Sequence, residues 1–247
     1  MTINRPYFRI CRPDTWANYD LPNQAYYPLD KRYAPDRTNL VRAYHLLEQD
    51  LIKILEYVEP ADANLGTYSH QLYALLLRAC TEFESNARAI LQANGYSSTR
   101  NWTLLDYFKI NSATRLSEYA LTIPMWDGVA GTVKPFETWS GGSHSLPWYQ
   151  AYNAVKHDRS GSFTEASLDN VMKAVAAVFA TLFSQFHIFA FDPHREVNSY
   201  SQEKTVYTHG NCIWTIEAPS LWTPAECYEI DWAVLKGTPD PFDKFSF

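Results

Sequence analysis

Glu165-Ala-Ser-Leu-Asp-Asn-Val-Met-Lys-Ala-Val-Ala-Ala-Val-Phe-Ala-Thr-Leu-Phe-Ser-Gln-Phe-His-Ile-Phe189 sets Leu168, Val171, Met172, Val175, Phe179, Leu182, Phe183 and Phe186 at three- and four-residue steps. That is the spacing of an apolar helix face. Inside the stretch begins a run of 18 residues without Asp, Glu, Lys or Arg, Ala174 to Phe191, near the lower limit for a membrane span. Thr181, Ser184, Gln185 and His187 recur along its second half, and the run continues an amphipathic helix. The segment therefore reads as the central helix of a buried bundle, with no membrane contact.

Three further helices complete the bundle. One opens after Asp36 and runs to about Val58, with Leu40, Ala43, Leu47, Leu51, Ile54 and Leu55 as its core face and Glu59-Pro60 as its stop. A second, about Tyr68 to Ala93, carries Leu72, Leu76, Ala79, Cys80, Phe83, Ala87 and Ile90 on one stripe before the Asn94-Gly95 stop. Its buried face has polar edges, Arg78, Glu82 and Asn86 along one and Glu84 and Arg88 near the other. The third starts at Leu146-Pro147, since proline suits a first helical turn, and ends in a loop at Ser160-Gly161-Ser162.

Between these lie shorter signals. Asn101 is placed to cap a short helix, Trp102 to Ile110. Tyr119-Ala-Leu-Thr-Ile and Thr132-Val-Lys-Pro-Phe read as strands joined through Trp126-Asp127-Gly128. Lys204-Thr-Val-Tyr-Thr, a turn at His209-Gly210-Asn211 and Cys212-Ile-Trp-Thr-Ile read as a second hairpin. The expected architecture is mainly α: residues 1–38 as an extended aromatic arm, 39–192 as an antiparallel helical bundle with a small hairpin inserted near 116–138, and 193–247 as a C-terminal hairpin and aromatic tail. With 15% aromatic residues, many of them outside the helical segments, both arms should dock on the bundle.

The 21 basic and 27 acidic residues give a formal charge of -6. Broad adhesion to a polyanion is thereby excluded, and nucleic acid would need a local basic cleft. The four cysteines, Cys11, Cys80, Cys212 and Cys227, form no Cys-x-x-Cys pair, so neither a disulfide scaffold nor a zinc ribbon is indicated. The amino terminus lacks the apolar core of a signal peptide, and a cytoplasmic location is expected. No glycine-rich phosphate loop or Gly-x-Ser-x-Gly elbow is present, and no cofactor or metal is implied.

The chemistry concentrates in Trp148-Tyr-Gln-Ala-Tyr-Asn-Ala-Val-Lys-His-Asp-Arg159. Trp148, Ala151, Tyr152 and Val155 form its apolar stripe, while Gln150, Asn153 and His157 fall on the opposite side. The pattern Tyr152-Asn153-x-x-x-His157 resembles the R-polar-x-x-x-H signature of the HEPN superfamily, helical bundles that include many metal-independent ribonucleases. The resemblance covers roughly residues 39–191. It implies that His157 is the catalytic histidine and Asn153 the polar residue that orients it. Tyr152 stands where the family has arginine, so a cation to steady the phosphate has to come from Lys156, Arg159 or another helix, with Arg78 and Glu82 as further candidates for the pocket.

Two functions follow from that resemblance. One is a metal-independent RNA endonuclease of a bacterial defence or toxin-antitoxin system, working as a homodimer beside an antitoxin or nucleotidyltransferase partner. The other is a noncatalytic protein- or RNA-interaction module on the same bundle, with the arginine lost to Tyr152. A bland alternative also stands: Asn153 and His157 on a solvated face, and Lys156 to Arg159 as a charged helix end that favours the C-terminal dipole.

Overall fold

The computed structural model describes residues 2–13, 30–187, 191, 199–200, 205–208 and 212–247. The chain is predominantly helical with a small antiparallel sheet. Four long helices build it: α1 (Arg37–Leu55), α2 (His70–Ala93), α5 (Pro147–His157) and α7 (Leu168–Phe186). Short helices α3 (Leu104–Tyr107), α4 (Asn111–Thr114), α6 (Arg159–Ser162) and α8 (Trp232–Leu235) lie between and after them.

Helix α7 is the centre, with α2, α1 and α5 packed around it. Burial extends past its apolar stripe to Ala174, Ala176, Ala177 and Ala180, so small residues let the neighbours close in on every side. Thr181, Ser184 and Gln185, which argued against lipid, are satisfied internally. Thr181 Oγ1 donates to Ala177 O at 2.7 Å and Ser184 Oγ to Thr181 O at 2.9 Å. Gln185 Nε2 donates to Asn86 Oδ1 of α2 at 2.8 Å, and its Oε1 accepts from Arg9 Nη1 at 3.0 Å. Among the described residues, no helix is long and apolar enough to cross a membrane.

The stripe expected on α2 is buried throughout, and Asn94 and Gly95 end the helix, Gly95 at φ +84 where a side chain would be strained. On α1 the buried face is rotated from the expected one. Val41, Tyr44, Leu47, Glu48, Leu51 and Ile54 are buried, while Leu40, Ala43 and Leu55 stay partly exposed. The rotation brings Tyr44 flat against Phe179 of α7, rings 5.1 Å apart, and carries Glu48 inward with it. The short helix near 104 is capped by Thr103 instead of Asn101. The Asp106 carboxylate accepts from Thr103 N at 2.9 Å and from Thr103 Oγ1 at 3.1 Å, which ties the helix start to its own first turn.

Strands β1 (Ala120–Thr122), β2 (Thr132–Val133), β3 (Ser199–Tyr200), β4 (Thr205–Thr208) and β5 (Thr215–Glu217) form one sheet in the order β2-β1-β5-β4-β3. Sequence segments that read as separate hairpins thus share a sheet through the β1–β5 pair. Leu121 is opposite both Val133 and Ile216, and all three are buried. A one-residue slip would turn this row to solvent. The turn expected at His209-Gly210-Asn211 lies outside the described residues.

Both terminal segments dock. Ile3 bridges to Tyr228 and Tyr7 to Asp243, and Tyr228 Oη donates to Ile10 O at 2.7 Å. The Arg12 guanidinium donates to Ala113 O and Glu226 O and sits against the rings of Tyr7, Trp222 and Phe245.

Phe179 is 3% exposed, stacked on Tyr44 and 4.3 Å from the ring of Phe191. Phe179→Ala should cost about 3 to 5 kcal/mol in chemical denaturation. A loss below about 1 kcal/mol would mean that α7 is not the packing centre.

Candidate functional site

Pro147 occupies the first turn of α5 after the extended Leu146, and Trp148 anchors the helix by donating from Nε1 to Pro135 O at 2.8 Å. The apolar side, Trp148, Ala151, Tyr152 and Val155, is buried as its spacing requires. The helix stops at His157, because Asp158 leaves helical geometry at φ -137, ψ 79. Asp158 then caps α6, accepting from Gly161 N at 2.9 Å. A Cβ on Gly161 would fall 2.4 Å from that carboxylate, so a larger residue there would displace the cap. Residues 160–162, expected as a loop, are therefore helical, and Arg159 rides on a different helix from His157.

The residues singled out in sequence divide into four groups. Tyr152 is 3% exposed, and its hydroxyl accepts from Lys156 Nζ at 3.0 Å while the ammonium also lies 4.9 Å from the ring. That hydrogen bond raises the Lys156 pKa, with Glu84 adding to it through charge. Lys156 is therefore a cation already engaged by its own helix.

Asn153 is half-buried and His157 exposed; among the described residues neither side chain makes a hydrogen bond, to the other or elsewhere. Arg78 and Glu82 turn toward α1, where Arg78 pairs with Asp50. The carboxylate of α2 that meets the motif helix is Glu84. It accepts from Tyr149 Oη at 2.8 Å and from Arg88 Nη2 at 3.4 Å, while Arg88 Nε donates to Tyr107 Oη at 2.9 Å. Burial first, and then the Glu84 bond, push the Tyr149 hydroxyl well above its usual pKa, so this network is a set of fixed donors.

Arg159 is exposed and forms no ion pair among the described residues. Its guanidinium lies 5.5 Å from the ring of Tyr73 and 5.9 Å from that of Phe163, and Nη2 is 3.4 Å from Nδ1 of His70. Phe163 in turn contacts Tyr68 and His70 at 5.6 and 4.8 Å between ring centres. The start of α2 is held there by the start of α7, through the Tyr68–Ser167 bridge and the bond from Leu168 N to Thr67 O at 2.8 Å. No acidic residue stands in the first turn of α2, whose amino-terminal dipole is positive. This patch of cation, imidazole and aromatic faces escaped the sequence reading; its only sequence signal is the row Tyr68, His70, Tyr73 around a helix start.

No protein-family model, curated protein or solved structure matches the chain. The local geometry is thus what bears on function.

A second polar cluster is internal. Glu48 is 2% exposed, and its Oε1 accepts from Tyr44 Oη at 2.8 Å, Cys212 Sγ at 2.7 Å and Ile213 N at 3.3 Å, with His45 Nδ1 at 3.6 Å from Oε2. Burial pushes this carboxyl up, yet the bonds from His45, Cys212, Tyr44 and Ile213 together bring it below its ordinary range. Burial and the facing carboxylate raise the Cys212 thiol strongly, so it is a donor and not a nucleophile. Among the described residues no three His, Cys, Asp or Glu side chains gather as metal ligands. His194 and His209 lie outside the described residues.

Because the folded carboxyl titrates below its unfolded value, Glu48 contributes stability that is full above about pH 4.3 and is lost as pH falls through the lowered value. Glu48→Gln should cost about 1 to 3 kcal/mol at pH 7, with a gap from wild type that narrows on acidification below about pH 4. A gap independent of pH in parallel denaturation curves would show that Glu48 is not held ionised.

Proposed function

We propose that this chain is a HEPN-like helical bundle that binds single-stranded RNA at the junction of α2, α5 and α6 without cutting it. The observation that carries the reading is Arg159, a cation stacked over Tyr73 and Phe163 beside His70. A guanidinium reaches a phosphate with forked donors, and flanking aromatic faces accept unstacked bases. This local concentration suits a protein of net charge -6, which has no general attraction for a polyanion. The loss of cleavage follows from Tyr152. Where the HEPN signature has a cation, this chain has a buried phenol that holds Lys156, and His157 lacks a fixed hydrogen-bond partner among the described residues.

A second reading is metal-independent cleavage with His157 moving the proton. Its support is the exposure of His157 at the end of α5, two residues from Arg159, where a ribose 2′-hydroxyl has access. In that case a two-fold dimer that brings both motif helices together would supply the second cation.

Fluorescence anisotropy with a labelled single-stranded RNA separates these readings. Arg159→Ala should weaken binding about tenfold and lower the slope of log Kd against log salt by about 0.7, one phosphate contact on a single strand. Unchanged affinity would reject this binding surface. RNA left intact in EDTA and in magnesium supports the noncatalytic reading. Cleavage in EDTA with 2′,3′-cyclic phosphate ends, reduced about 10² to 10⁴ by His157→Ala, would establish the second.

A further inference from the structure

On the solvent side of the bundle, α1 and α2 run antiparallel and leave a groove of two hollows that share Arg78. One end is a recess of about 310 Å³ among Ala43, Leu46 and Leu47 of α1 and Leu77 and Glu82 of α2. The other is a larger hollow of about 640 Å³ that ends at Tyr57 and Gln71. Arg78 borders both.

The walls are two regular stripes. Ala43, Leu46, Asp50, Lys53 and Tyr57 succeed one another at three- and four-residue steps on α1 and just past its end, and Gln71, Ala74, Arg78 and Thr81 do the same on α2. Leu46 and Tyr57 are therefore on one face, three turns or about 16 Å apart, and they are 46% and 87% exposed. Large apolar groups so exposed at both ends of a groove match the anchor positions of helix-in-groove recognition.

Charge selects the occupant. At mid-groove Arg78 is spent on Asp50, which also has Lys53 Nζ at 3.7 Å. At the recess end Glu82 is half-buried beside Leu77, and no hydrogen bond or ion pair reaches its carboxylate among the described residues. Burial raises its pKa, and the charge of Arg78 only partly opposes this. At the other end Glu56 is exposed and likewise unpaired among the described residues. The groove thus has unspent negative charge at both ends, beside its apolar anchors.

We propose that the α1–α2 groove docks a basic amphipathic helix of a partner protein, seating aliphatic side chains against Leu46 and Leu77 and a lysine or arginine against Glu82. This surface is separate from the Arg159 patch, and the proposal does not depend on RNA binding.

The test titrates the full chain with two synthetic helical peptides of about five turns, equal in leucine content, one with lysines on its polar face and one with glutamates. The lysine peptide should bind, and Glu82→Gln should weaken it about tenfold. Leu46→Glu should abolish binding, while Glu137→Gln, a surface acid elsewhere, should leave it unchanged. Amide exchange should show protection confined to 43–57 and 71–82. Equal weakening by Glu137→Gln, indifference to Glu82→Gln, or protection elsewhere would overturn the proposal. So would sedimentation showing a dimer that Leu46→Glu dissociates, since the occupant would then be a second copy of this chain.

Discussion

Gln185 lies at the middle of the molecule with no exposure to solvent, and its amide has to be paired from both ends. Its nitrogen donates to Asn86 Oδ1, and its oxygen accepts from Arg9 Nη1. An unpaired amide in such a place costs about 1 to 3 kcal/mol, so this chain of contacts fixes how α2 and the amino-terminal arm sit on α7. Arg9 also pairs with Asp36, the residue before α1. One polar line, buried from Arg9 inward, therefore links the arm, α1, α2 and α7.

Elements with long periodic stripes and clear stops were legible in the sequence. The α7 core, the α2 stripe, the Asn94-Gly95 end and the Pro147 start are each specified by residues within a few turns. Features specified by distant partners were not. Glu48 lies off the core face expected for α1, and its partners Cys212 and Ile213 are 164 and 165 residues away. The junction of β1 with β5 is similarly invisible to local alternation. The division between α5 and α6 was missed for another reason: Asp158 favours a cap, and a serine-glycine-serine run reads as loop when that cap is not recognised.

The motif helix shows how a sequence pattern can be kept while its parts separate. Tyr152 faces the core, as its place in the apolar stripe demands, and the lysine one turn later folds onto it. The available cation is on α6, directed by a capping aspartate and a glycine instead of by the helix that carries the histidine. Arg78 and Glu82, offered from the second helix to complete the motif's pocket, belong to the α1 side. Two-residue spacing on a helix is enough to send side chains to different neighbours.

The interlock of the two ends of the described chain has a kinetic consequence. Tyr228 and Ile10 are 218 residues apart, and Asn94 joins Phe8 and Phe245 through its side-chain amide. Contacts so remote in sequence form only after a large loop has closed, which slows their appearance relative to helical contacts. During synthesis the bundle can assemble while residues 2–13 still lack their final partners. The arm then locks only when the segment around 226–245 has left the ribosome, and until that moment the apolar surface it covers stays open to chaperones and to premature association.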